Sequence, residues 1–117
     1  MPANEVLDLS RLEEAFEDDT AGIAELLEMA LDTGVKHRHA LEQGVAAGDA
    51  EMVRRAAHAI KGSSGNVGAN AVMNLADELE QRARVGNLDG ARERIDAIAA
   101  AYARVGEAVR AYRSRVG

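Results

Sequence analysis

Apolar residues recur along this chain at steps of three and four, the spacing that keeps one face of an α-helix dry. No stretch alternates residue by residue as a half-buried strand would. The stripes fall into five segments separated by glycine and by Asp, Asn or Ser. A short first helix starts at Ser10, which is suited to cap it, and carries Leu12, Ala15 and Phe16, with Glu13 and Glu14 near its positive end. The second begins near Asp19 or Thr20 and carries Ile23, Leu26, Leu27, Ala30, Gly34, Leu41 and Val45. Glycine inside a helix costs about 1 kcal/mol relative to alanine, so Gly34 marks a candidate kink. Gly48-Asp49 ends that helix and caps the third, whose core positions are Val53, Ala56, Ala57, Ile60, Ser64 and Val67 and which Gly68 terminates. The fourth carries Val72, Leu75, Ala76, Leu79 and Ala83 and stops at Gly86-Asn87. The fifth runs from about Asp89 with Ala91, Ile95, Ile98, Tyr102, Val105, Val109, Tyr112 and Val116 in heptad rhythm.

One apolar stripe per long helix and short polar turns between them predict an all-α fold, an up-down antiparallel four-helix bundle with a short additional N-terminal helix. Composition agrees. Two Tyr, one Phe and no Trp leave the core to Ala, Leu, Val and Ile, and the single proline, Pro2, interrupts no helix. A length of 117 residues suits one core, so residues 1–117 are expected to form a single domain. Fourteen basic and twenty acidic residues give a net charge of −6, the wrong sign for neutralising phosphates, which points to protein partners and away from nucleic acid. The lack of cysteine excludes thiolate chemistry and Cys-based metal sites. No apolar run is long enough for a membrane span and Met1–Ser10 carries no basic-then-apolar signal, so a cytoplasmic protein is expected.

The third helix carries the candidate chemistry. With Val53 set at the core direction, His58 falls about 140° round the wheel, facing water, beside Arg54, Lys61, Gly62 and Gly65. Two glycines on an exposed helix face weaken the helix without an evident packing reason, and they clear space beside the imidazole for a partner to dock. Lys61, three residues on, can approach an anion carried by the ring. An imidazole in water is mostly uncharged at neutral pH and already nucleophilic. Nucleophile, open approach and cation make one constellation.

The segment Ala57-His58-Ala59-Ile60-Lys61-Gly62-Ser63-Ser64-Gly65-Asn66-Val67-Gly68-Ala69, followed by Leu79-Glu80, resembles the histidine-containing phosphotransfer family. That family's signature is a histidine, lysine and glycine at the third and fourth positions after it, a further glycine at the tenth, and a Leu-Glu pair near the end of the next helix. His58, Lys61, Gly62, Gly68, Leu79 and Glu80 occupy those positions, and the helical pattern from Leu7 to Tyr112 fits the family's bundle. The resemblance implies that His58 accepts a phosphoryl group and exchanges it with an aspartate of a response-regulator receiver domain. A sensor or hybrid histidine kinase would be the other partner. It implies a phosphocarrier rather than an enzyme, no cofactor bound by this chain, and Mg²⁺ with an acidic pocket supplied by the receiver. Glu80 is then placed to accept Nδ1–H of His58, leaving Nε2 to attack, and Ser64 is expected to bond a backbone carbonyl one turn back.

Two alternatives remain at the level of sequence. One is a bundle that docks a receiver domain or kinase on the same glycine-lined patch without passing phosphate. The other, the dimerisation and phosphoacceptor domain of a sensor kinase, normally has an acidic residue directly after the histidine, where this chain has Ala59. His37 and His39 lie two apart and cannot chelate one metal from a single helix face; His37 is expected at the edge of the buried stripe and His39 in solvent. No metal site is expected. Because the fifth helix's seam is needed inside the bundle, a monomer is expected.

Overall fold

Local chemistry sets where each helix of this chain starts and stops. The computed structural model describes residues 6–17 and 19–116. From Ser10 onward five helices follow: α1 (Ser10–Ala15), α2 (Thr20–Ala47), α3 (Ala50–Asn66), α4 (Asn70–Arg84) and α5 (Ala91–Val116). No strand occurs among the described residues. The Asp19 carboxylate accepts from Gly22 N–H at the start of α2, and that of Asp49 accepts from Met52 N–H at the start of α3. Gly48, at φ 65°, turns the chain between them, with its own N–H and that of Asp49 returning to the carbonyls of Val45 and Gly44.

Short turns force neighbours to run antiparallel, and the four long helices form a closed ring in which α2 and α4 each pack against α3 and α5. The body is 44 Å along its longest axis. Its centre is built from fully buried Ile23, Leu27, Leu41, Val53, Ile60, Val72, Leu79, Ile98 and Val109. Each such side chain contributes roughly 1.5–3 kcal/mol by leaving water. The heptad positions of α5 from Ala91 to Tyr112 are buried as expected, and the side chain of Val116 lies outside the described residues.

Several local expectations are corrected. Ser10 does not cap α1, because it is already helical; the turn into α1 is held by Asp8, whose Oδ1 accepts from both the N–H and the hydroxyl of Ser10. No break occurs in α2 at Gly34. A Cβ there would lie 2.5 Å from Cζ of Tyr102, so the glycine lets the α5 tyrosine lie against the α2 backbone. The Ser64 hydroxyl lies 3.4 Å from the Tyr102 hydroxyl, and it is Ser63 whose hydroxyl donates to a carbonyl one turn back, that of Ile60. Gly90, at φ 70°, delays α5 to Ala91, two residues past the expected start.

Gly68 has a second function besides ending α3. It adopts φ 74°, and a Cβ there would overlap the carbonyl oxygen of Asp8, while Asp8 N–H donates to the Gly68 carbonyl at 2.9 Å. The segment leading into α1 therefore crosses the α3–α4 turn at the one residue that lacks a side chain. His37 is half-buried and His39 exposed. No helix among the described residues is long and apolar enough to cross a membrane.

Candidate functional site

Helices α3 and α4 face each other in a register that steps one turn at a time: His58 meets Glu80, Lys61 meets Asp77, and Gly65 meets Met73. The apolar stripes of the two helices fix this register, since Val53, Ala57, Ile60, Val72, Ala76 and Leu79 are all buried. Residues on the seam between stripe and solvent then confront one another. His58 stands on that seam with 66% of its side chain exposed, whereas the Glu80 side chain is wholly buried.

A buried carboxylate is costly unless its oxygens are satisfied by charged or hydrogen-bonding partners. Glu80 has three. His58 Nδ1 lies 2.9 Å from Oε2, Arg84 Nη2 lies 3.0 Å from the same oxygen, and Lys61 Nζ lies 2.7 Å from Oε1. Burial pushes the Glu80 carboxyl up, but the bonds from Lys61 and His58 outweigh it and hold the group below the ordinary carboxylate value. Because Glu80 is thus ionised near neutral pH, it can only accept, so Nδ1 of His58 is the protonated ring nitrogen. In a neutral ring with that tautomer, the lone pair is on Nε2. The Lys61 ammonium is raised above its usual value by Glu80 and then by Asp77, whose Oδ1 it reaches at 3.2 Å.

Arg54, one turn before His58, is half-buried and held to Glu51 by contacts of 3.0 and 2.6 Å; its guanidinium pulls the Glu51 carboxyl down to about 2. Gly62 is exposed, and a Cβ there would meet nothing within 4 Å. The expectation for Gly65 is corrected. It is half-buried, and a Cβ would lie 3.1 Å from Met73 Sδ, so this glycine belongs to the α3–α4 contact and not to the open face. A wheel drawn on α3 alone cannot show that α4 lies against this side. Leu79 is fully buried in the core and Gly68 forms the turn.

Sequence reasoning did not single out Arg84 or Asp77. Both were within reach of it, since they stand at i+4 and i−3 from Glu80 on one helix, positions that meet on its surface. Among the described residues no group of three or more His, Asp or Glu side chains is arranged to hold a metal ion.

Comparison with known proteins places the chain. The family model described as Hpt domain matches residues 25–108, a span that contains the whole α3–α4 site. Among solved structures, the crystal structure of histidine-containing phosphotransfer protein B (HptB) from Pseudomonas aeruginosa PAO1 is similar, at 31% sequence identity and a TM-score of 0.86 over 96% of this chain and 97% of that one. No curated protein matches. With the motif, the helical architecture and the family match all in agreement, the chain belongs to the histidine-containing phosphotransfer family and is a histidine phosphotransfer protein of two-component phosphorelays.

Proposed function

We propose that His58 is the residue that carries the phosphoryl group and that Nε2 is the reacting nitrogen. The observation that carries this reading is the pairing of Nδ1 with a buried, ionised Glu80 while most of the ring stays in solvent. In the forward step the Nε2 lone pair forms an N–P bond as the P–O bond to a receiver aspartate breaks, and the departing carboxylate takes the electron pair. The ring becomes cationic, and the proton on Nδ1 stays there, hydrogen-bonded to Glu80. Reversal returns the phosphoryl group to an aspartate with no proton gained or lost by the ring.

Phosphoryl transfer depends mainly on positioning and on stabilising charge spread over the phosphoryl oxygens. Lys61 supplies a cation one turn from His58, and Gly62 keeps the approach clear. The chain acts as a phosphocarrier without autonomous catalysis, and the receiver contributes Mg²⁺ and the acidic pocket. Its partners are a receiver domain and a sensor or hybrid histidine kinase. Because α5 spends its apolar seam inside the bundle, the chain acts as a monomer. Its partners' chemistry makes the cytoplasm its place of action.

The test is incubation with a phosphorylated receiver domain. The protein is expected to gain an acid-labile, base-stable phosphate that peptide mapping assigns to His58. The variant His58→Gln is expected to melt with the wild type and gain none, since an exposed residue contributes little to the core. Phosphate found on His37 or His39, or on His58→Gln, would contradict the assignment.

A further inference from the structure

Two donors share one oxygen at this site. His58 Nδ1 and Arg84 Nη2 both bond Glu80 Oε2, at 2.9 and 3.0 Å, while Lys61 takes Oε1. The transfer step uses the first contact and gives Lys61 a role at the phosphoryl group, but it leaves Arg84 without one. Resting on that reading of His58, we propose that Arg84 is a positioning residue acting through Glu80: by occupying the remainder of Oε2 it weakens the carboxylate's pull on Nδ1–H and keeps the ring neutral, with Nε2 unprotonated.

Charged groups from two helices surround this single imidazole. From α3 the ring is faced by Arg54, already paired with Glu51, and by Lys61. From α4 it is faced by Asp77 beyond Lys61, by Glu80, and by Arg84, which the register sets level with Arg54. Glu80 is wholly buried, so its field on the ring is poorly screened, and a carboxylate left uncompensated there draws an imidazole towards its cationic form. In that form Nε2 carries a proton and cannot attack phosphorus. Lys61 offsets only part of this field because it divides itself between Glu80 and Asp77. Arg84 adds a second cation in direct contact, 3.0 Å from Oε2, and Arg54 a more distant one. Arg84 sits at i+4 on the same helix, and the planar fork of a guanidinium suits a carboxylate oxygen that already accepts from another donor. Its side chain is 54% exposed, so the core does not depend on it.

The test follows the ring nitrogen resonances of His58 against pH in ¹⁵N-labelled protein. In Arg84→Gln the midpoint of the ring titration is expected to rise by about half a pH unit, the size of effect one nearby solvent-exposed charge exerts. Arg84→Lys should restore most of the difference, and adding Arg84→Gln to Glu80→Gln should move nothing further. Phosphate acceptance by Arg84→Gln should fall about threefold on the acidic side of the midpoint and match wild type well above it. An unmoved midpoint, an equal shift with and without the Glu80 carboxylate, or a loss of acceptance uniform across pH would each overturn the proposal. The ring titration needs no phosphate. A wild type that accepts no phosphate would therefore refute the role of His58, while the resonances still decide that of Arg84.

Discussion

Gly34 in α2 and Gly62 in α3 look alike in the sequence: each stands inside a long helix and each weakens it by about 1 kcal/mol relative to alanine. Their surroundings are opposite. At Gly34 a tyrosine ring from α5 fills the place of the missing side chain, with Cζ 2.5 Å from where a Cβ would stand. At Gly62 nothing lies within 4 Å of that point, and the free space opens beside an exposed imidazole. One glycine permits two helices to close on each other, and the other leaves clear the surface beside His58 on which a receiver is proposed to dock. A missing side chain thus has a meaning only in relation to what the fold brings up to it.

The largest effect is expected at Gly34. Gly34→Ala forces a methyl group into the Tyr102 ring, which is 8% exposed and cannot withdraw without losing its burial and its contact with Ser64. Overpacking of this kind costs typically 1–3 kcal/mol, against which the gain in helix propensity is smaller or comparable. Thermal unfolding should show a melting temperature lowered by several degrees, while phosphate acceptance at His58, on the other helix pair, stays near wild type. A variant that melts as wild type would mean that the ring moves aside freely and that Gly34 is no packing glycine.

A smaller effect is expected at Lys61, beside the open face. Lys61→Ala removes the ammonium that stands 2.7 Å from Glu80 and one turn from His58. Acceptance of phosphate in a rapid-mixing assay should slow several-fold without vanishing, because the Mg²⁺ proposed for the receiver would remain. An unchanged rate would confine Lys61 to neutralising Glu80 and Asp77.

The helices and their core faces were legible in the sequence because apolar periodicity is a local signal, and the α5 seam shows it: Ala91, Ile95, Ile98, Tyr102, Val105, Val109 and Tyr112 are all buried. The motif from His58 to Gly68 was equally plain. What escaped depends on a second helix. Gly65 reads as open on the α3 wheel until Met73 of α4 covers it, and Ser64 reads as bonded within its own helix until Tyr102 of α5 comes within 3.4 Å. The depth at which Glu80 is buried likewise emerges only when α4 is laid against α3, whereas Arg84 was within reach of the spacing along α4 itself. Sequence spacing describes one helix at a time, whereas the surroundings of His58 are set by two.

Gly62→Gln, with melting temperature and phosphate acceptance measured on the same sample, separates an open docking face from a packing contact. Glutamine is the better helix former by close to 1 kcal/mol and meets no neighbour at its Cβ, yet its side chain projects into the approach to the imidazole. The variant is expected to melt no lower than wild type and to lose most of both receiver binding and phosphate acceptance, with Gly62→Ala intermediate in activity. Normal transfer by Gly62→Gln, or a lowered melting temperature, would contradict the account, for the face beside His58 would then be neither open by necessity nor free of packing.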